Sequence, residues 1–65
     1  MNDNLIVLGG GESGVGAAYL ASQNGISVFL SDKNLIELKY KKILIDNGID
    51  FEEGTHSIDK VLKAS

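Results

Sequence analysis

Cysteine, proline, arginine and tryptophan are all missing from this chain of 65 residues. Without cysteine it can form neither a disulfide scaffold nor a thiolate metal site, and without proline it contains no proline-rich linker. The absence of cysteine also fits a cytoplasmic protein, which is the localisation that we expect. A chain of this length has room for one small domain or for part of a larger one.

Positive charge is scarce too. The six cations are all lysines and face nine acidic residues, which gives a net charge of −3. An acidic chain without arginine lacks the bidentate phosphate-binding side chain, so we expect no nucleic-acid partner. The longest aliphatic run, residues 5–8, is far shorter than the roughly 20 residues that span a membrane, and we expect no membrane partner. Any phosphate must therefore be bound mainly through the backbone.

The hydrophobic pattern predicts alternating strands and helices. The first apolar run is typical of a strand buried on both faces. The second predicted helix carries one apolar stripe at Ile36, Tyr40, Ile43 and Leu44, and the third predicted strand is polar enough for a sheet edge, with its acidic residues facing solvent. The predicted elements are, in order, strand Leu5–Leu8, helix Val15–Gln23, strand Ser27–Ser31, helix at about Leu35–Asn47, strand Ile49–Glu52 and helix Ile58–Lys63 after an N-cap at Ser57.

This alternation with short connections predicts an α/β fold, a Rossmann-like parallel sheet of the form β-α-β-α-β-α with strand order 3-2-1. Both crossover helices then lie on one face of the sheet, and strand one lies at an open edge. Because doubly wound domains place a fourth strand there, we expect residues 1–65 to be the amino-terminal half of a larger doubly wound domain in a longer multidomain chain. A complete small domain that self-associates through the edge of strand one is the alternative.

Glycines follow the first strand in the pattern G-x-G-x-x-G, at Gly9, Gly11 and Gly14. A strand before this pattern and a helix after it are typical of nucleotide-diphosphate binding. The first glycine allows a tight turn, the second lets a diphosphate approach the backbone, and the third lets the helix pack on the sheet. Ser13 can donate to a phosphate or cap the helix. The Glu12 carboxylate would repel a diphosphate, so we expect its side chain to face solvent or another domain.

An acidic residue, Asp32, lies at the end of the second predicted strand, 18 residues after Gly14. A carboxylate there can contact the ribose or base of a nucleotide bound across the glycines. It can also serve as the N-cap of the second helix, and this alternative stays open. The single histidine, His56, has no second histidine or cysteine near it in sequence, so we expect it on a loop surface and expect no metal site.

The segment LIVLGGGESGVGAAYLASQNGISVFLSD, residues 5–32, resembles the start of the bacterial Mur ligases, especially the branch that adds D-glutamate. The features in common are G-x-G-x-[ST]-G-x-[GS] at residues 9–16, the Ser31-Asp32 pair, and GIDFEEGTH at residues 48–56. The resemblance implies an amino-terminal domain that holds the UDP part of UDP-N-acetylmuramoyl-L-alanine. The implied UDP-binding residues are Gly9, Gly11, Glu12, Ser13 and Gly14 at the diphosphate, and Asp32 and Lys33 at the uracil.

The resemblance further implies an ATP-dependent amide-forming ligase of peptidoglycan synthesis that uses ATP and Mg²⁺ as a full-length enzyme. This chain contains no phosphate-binding G-x-x-x-x-G-K-[ST] segment. We therefore expect it to bind no cofactor, to supply no catalytic residue, and to bind the UDP-sugar peptide substrate together with the rest of the same polypeptide.

Two other functions remain open on the residues alone. One is the FAD- or NAD(P)-binding domain of an oxidoreductase, because an acidic residue after the second strand also suits an adenosine ribose. The other is a regulatory nucleotide-binding module.

Overall fold

Strands and helices alternate along the chain, as the apolar pattern predicts. The computed structural model describes residues 3–55 and residue 57. Its three strands form one parallel sheet in chain order, so the predicted Rossmann-like α/β fold is confirmed. The helix predicted at residues 58–63 and His56 lie outside the described residues. The elements are β1 (Asn4–Leu8), α1 (Glu12–Gln23), β2 (Ser27–Asp32), α2 (Leu38–Asp46) and β3 (Asp50–Glu53).

One face of the sheet carries the core. Val28 and Leu30 of β2 point toward it, and the parallel register places Val7 of β1 and Phe51 of β3 on either side of Leu30. Both helices pack on this face and against each other, as the strand order predicts. Neither described helix has the length and apolar character needed to cross a membrane. The buried apolar residues are Val15, Ala18, Leu30, Ile36, Leu44 and Ile49.

The first strand is more exposed than its apolar sequence predicts. Leu8 is 66% exposed and Leu5 is 37% exposed. Among the described residues β1 pairs only with β2, so its outer edge is open. The predicted open edge is confirmed, whereas the prediction of a strand buried on both faces is wrong, because an edge strand lacks neighbours on one side.

The two helices start at other residues than the sequence predicts. Helix α1 begins at Glu12 rather than Val15, so its first turn includes the end of the glycine motif. Helix α2 begins at Leu38 rather than Leu35. The segment before α2 is held in a non-helical form by the Asp32 carboxylate just before it and by the Glu53 carboxylate of β3, and such side-chain acceptors compete with helical hydrogen bonds. Both helices end as predicted, with Asn24 and Asn47 as their C-caps.

The apolar stripe predicted along the second helix is confirmed only in part. Leu44 is fully buried and Tyr40 packs against the core. Ile36 is also buried, but it precedes α2 instead of belonging to it, and Ile43 is 37% exposed. The later helix start accounts for Ile36, because a residue outside a helix does not follow its spacing.

Candidate functional site

The glycine loop, defined as Gly9–Gly14, connects β1 to α1 at the carboxyl edge of the sheet. Gly9 has a φ of +119°, a conformation that residues with a side chain rarely adopt. Its N–H donates to the Ser31 carbonyl oxygen at 2.8 Å, which continues the pairing of β1 with β2 by one residue. The chain then turns at once into α1, so the structure has the tight turn predicted at Gly9.

Two glycines of the loop face inward and leave no room for a side chain. A β-carbon built on Gly14 would overlap the carbonyl oxygen of Gly9 and would lie 3.4 Å from Val7 Cγ1. A β-carbon on Gly10 would lie 2.7 Å from Ile36 Cγ1. The close helix–strand packing predicted at Gly14 is therefore present, and Gly10 is packed against the side chain of Ile36.

The outer side of the loop is open at Gly11. This residue is the N-cap of α1 and has a φ of −84°, and among the described residues no atom lies within 4 Å of the position of a β-carbon. No side chain in the described part of the chain caps this helix. The first N–H groups of an α-helix have no acceptor inside the helix and carry about half a positive charge in sum. This end of α1 can therefore bind an anion through its backbone.

Beside the loop, Asp32 connects the end of β2 to it. Its Oδ2 accepts the Gly10 N–H at 2.7 Å, and its Oδ1 accepts the Asn34 N–H at 2.9 Å. The N-cap of α2 is Glu37, so the alternative in which Asp32 caps that helix is wrong. Asp32 is the last residue of β2, so its carboxylate links the glycine loop to the first residues after the strand. Contact of Asp32 with a nucleotide stays a prediction.

Three of the predicted site residues have exposed side chains. Glu12 is exposed and lines a groove of about 440 Å³ between α1 and α2, in agreement with the expected orientation toward solvent. Ser13 is exposed and follows the first residue of α1, so it is not the N-cap. Lys33 is exposed on the turn after Asp32 and makes no ion pair within the part of the chain that the structure describes. Binding by these side chains stays a prediction.

This arrangement agrees with the comparison with known protein families. Residues 5–64 match the family described as the MurD N-terminal domain. The chain belongs to this family. The resemblance to the Mur ligases that the sequence suggests is thereby confirmed.

The relatives that match this MurD N-terminal domain all carry the same protein name. The chain is 47% identical over 64 residues to the UDP-N-acetylmuramoylalanine–D-glutamate ligase of Christiangramia forsetii, and 48% identical over 60 residues to that of Bacteroides fragilis. It is 44% identical over 64 residues to the ligase of the same name from Cytophaga hutchinsonii. These matches cover 98%, 92% and 98% of this chain but only 14% of each relative. No solved structure matches the chain.

Two carboxylates at the end of β3 complete this edge of the MurD N-terminal domain. Glu53 Oε1 accepts the Ile36 N–H at 2.8 Å, and its Oε2 accepts Lys41 Nζ at 2.9 Å. These two hydrogen bonds lower the pKa of Glu53, the one from the Ile36 backbone being the larger cause. On the other face of the sheet, Glu52 Oε2 accepts the Ser31 hydroxyl and the Ser57 N–H, each at 2.7 Å.

The prediction that these acidic residues form the solvated side of an edge strand is therefore wrong for Glu52 and Glu53. It is confirmed for Asp50, which is exposed. Adjacent residues of a strand point to opposite faces, so two acids in a row place one of them on the helix-covered face. The two consecutive acidic residues were therefore the sequence signal that one carboxylate lies on the helix-covered face. Within residues 3–55 and 57, no three His, Cys, Asp or Glu side chains lie close enough to bind a metal ion.

Proposed function

We propose that this chain is the UDP-binding, amino-terminal domain of an ATP-dependent ligase that adds D-glutamate to UDP-N-acetylmuramoyl-L-alanine. The reaction forms an amide during the synthesis of peptidoglycan precursors. Membership in the MurD N-terminal domain family supports this proposal. The structural observation that carries it is the open backbone at Gly11, where an exposed helix start meets empty space beside Asp32.

In the proposed complex, backbone N–H groups bind the diphosphate. The amides of Gly11, Glu12, Ser13 and Gly14 surround the first turn of α1, and the Ser13 hydroxyl adds a donor. The chain has no arginine, so in this proposal the helix start supplies the donors for the diphosphate, and Lys33 is the cation on the neighbouring turn. The uracil lies toward Asp32 and Lys33, at the carboxyl ends of the strands, where open α/β sheets bind their ligands.

The rest of the polypeptide supplies the chemistry in this proposal. The chain spans 14% of the length of the relatives that it matches. Residues 1–65 form the substrate-binding part of a longer cytoplasmic enzyme whose other domains hold ATP, Mg²⁺ and D-glutamate. This chain then contributes orientation of the UDP-linked substrate, and its partner is the remainder of the same polypeptide.

The substitution Gly11→Asp in the full-length ligase tests this function. Aspartate is a preferred N-cap, so α1 keeps its start, while the new carboxylate occupies the space assigned to the diphosphate. Loss of charge-assisted hydrogen bonds costs about 1.5–3 kcal/mol, so we expect KM for UDP-N-acetylmuramoyl-L-alanine to rise about 10-fold to 100-fold. The KM for ATP should not change. Steady-state kinetics measures both constants.

Gly16→Asp is the charge-matched control. Gly16 is on the same helix, and a β-carbon there meets no atom within 4 Å. We expect its kinetic constants to match those of the unaltered enzyme. An unchanged KM in Gly11→Asp contradicts the proposal. Protection of the protein by NADH or FAD, without protection by UDP, favours the oxidoreductase alternative instead.

A further inference from the structure

The glycine loop rests on a side chain from another part of the chain. Ile36 is 5% exposed and lies between β2 and α2. Its Cγ1 and Cδ1 lie 2.7 and 3.0 Å from the position that a β-carbon of Gly10 would take. Because protein interiors are closely packed, this contact limits how far the loop can move toward the sheet. Gly10 directly precedes Gly11, so the same contact affects where the open amides point.

The position of Ile36 is in turn held by Glu53. The Glu53 carboxylate accepts the Ile36 N–H at 2.8 Å and the Lys41 ammonium at 2.9 Å. The side chains of Lys41 and Glu53 are only 28% and 25% exposed, and a hydrogen bond to a charged group is stronger than a neutral one. Ile36 precedes α2, so its N–H has no helical acceptor and depends on this carboxylate.

A second carboxylate holds Gly10 from its backbone side. Asp32 accepts the Gly10 N–H at 2.7 Å, and the register of β2 with β3 pairs Asp32 directly with Glu53. The ends of the neighbouring strands β2 and β3 thus restrain Gly10 in different ways. Asp32 bonds to its N–H, and Glu53 acts through the Ile36 side chain that covers it.

We infer that Glu53 is a positioning residue of the UDP site: acting through Ile36, it sets the backbone of the glycine loop that presents the amides to the diphosphate. The inference rests on the proposed function of the loop. Glu53 itself does not touch the substrate in this scheme. Its removal weakens substrate binding without changing the chemical step.

The test is Glu53→Ala in the full-length ligase, compared with Glu53→Gln. We expect the alanine variant to raise KM for UDP-N-acetylmuramoyl-L-alanine roughly 5-fold to 10-fold, less than the full effect of losing a hydrogen bond to a charged group, because Glu53 acts on the loop only through Ile36. The kcat and the KM for ATP should stay within about twofold. The glutamine variant should restore most of the affinity, because its amide oxygen can still accept the Ile36 N–H.

A general loss of stability would not raise KM for one substrate while leaving kcat and the KM for ATP nearly unchanged. The control is Asp50→Ala, which removes an exposed carboxylate from the same strand and should leave every constant unchanged. Should Glu53→Ala fail to fold, Ile36→Val takes its place. It removes the Cδ1 contact with Gly10 and should raise the same KM about twofold.

Two results overturn the inference while the proposed function stands. One is a normal KM in Glu53→Ala beside a raised KM in Gly11→Asp. The other is a KM in Glu53→Gln as high as that in Glu53→Ala. That result would assign the effect to the ion pair of Glu53 with Lys41 instead of the hydrogen bond with the Ile36 N–H. A normal KM in Gly11→Asp overturns the proposed function and the inference with it.

Discussion

The inner and outer sides of the glycine loop use glycine for different reasons. On the inner side, Gly14 lies against the Gly9 carbonyl and Gly10 lies against Ile36, so neither has room for a β-carbon. On the outer side, no atom of residues 3–55 or 57 lies within 4 Å of a β-carbon placed on Gly11. The fold requires the inner glycines even if the protein binds nothing, whereas packing gives no reason for glycine at Gly11. The space around each glycine separates the positions that packing explains from Gly11, which packing does not explain.

The largest expected effect is a loss of stability in Gly14→Ala, which disrupts the packing on the inner side of the loop. The added methyl group overlaps backbone, which cannot move aside as a flexible side chain can, and overpacking of this kind costs about 3 kcal/mol. Native-state hydrogen exchange of the β2 amides in the full-length protein measures the loss as a lower free energy of opening. Gly11→Asp should leave this free energy within about 0.5 kcal/mol.

Gly16→Ala is the reference for the inner-side variant. It adds the same methyl group to the same helix at an open position and should stabilise α1 by up to about 1 kcal/mol. Equal exchange protection in Gly14→Ala and Gly16→Ala would contradict the division of the loop into two sides.

A smaller effect, shared by both sides, should follow from Asp32→Ala. The substitution leaves the N–H groups of Gly10 and Asn34 without their acceptor, at a cost of about 1–3 kcal/mol. Hydrogen exchange at these two amides should become about tenfold faster or more, while amides in the middle of α2 change less. Asp32→Asn keeps one acceptor oxygen. Its exchange rates at these two amides should lie between those of the unaltered protein and those of Asp32→Ala. Unchanged exchange at Gly10 would remove Asp32 from the support of the loop.

The smallest effect concerns pH and Glu53. Its pKa is lowered below the ordinary value of 4.5, first by the Ile36 N–H and then by Lys41. A lowered pKa means that the ionised carboxylate stabilises the folded state at pH values above 4.5. This stabilisation is lost as the pH falls through the lowered pKa. An NMR titration of the Glu53 carboxyl carbon should therefore show a midpoint below 4.5.

Lys41→Met separates the two causes of the lowered pKa of Glu53. It removes the second cause of the shift and should raise the midpoint while leaving it below the ordinary value, because the Ile36 N–H remains. The stability difference between the unaltered protein and Glu53→Gln should also shrink as the pH is lowered below 4.5. A midpoint at or above the ordinary value would show that the Glu53 hydrogen bonds do not form.

Much of the fold could be predicted from local patterns. Apolar runs marked all three strands to within one residue at each end, and the asparagine–glycine pairs marked both helix ends. The turn at residues 32–34 could be predicted, and Asp32 holds it by accepting the Asn34 N–H. The start of α2 at Leu38 could not be predicted, because residues 35–37 have no local feature that forbids a helix and are kept out of it by Glu53, which accepts the Ile36 N–H.

The candidate site divides in the same way. The glycines and Asp32 could be found by spacing, because a phosphate-binding turn has steric requirements at fixed positions. The role of Glu53 could not, because its partners Ile36 and Lys41 lie 17 and 12 residues away in sequence and meet it only when β3 pairs with β2. The same pairing places Glu52 against Ser31.

By itself, the sequence determined the order of strands and helices and the place where the backbone must turn sharply, since both depend on the periodicity and size of neighbouring side chains. Only the tertiary structure decided which glycine faces open space and which acidic residues support the loop. Those properties depend on atoms brought together from distant parts of the chain, and their distances do not exist until the sheet has formed.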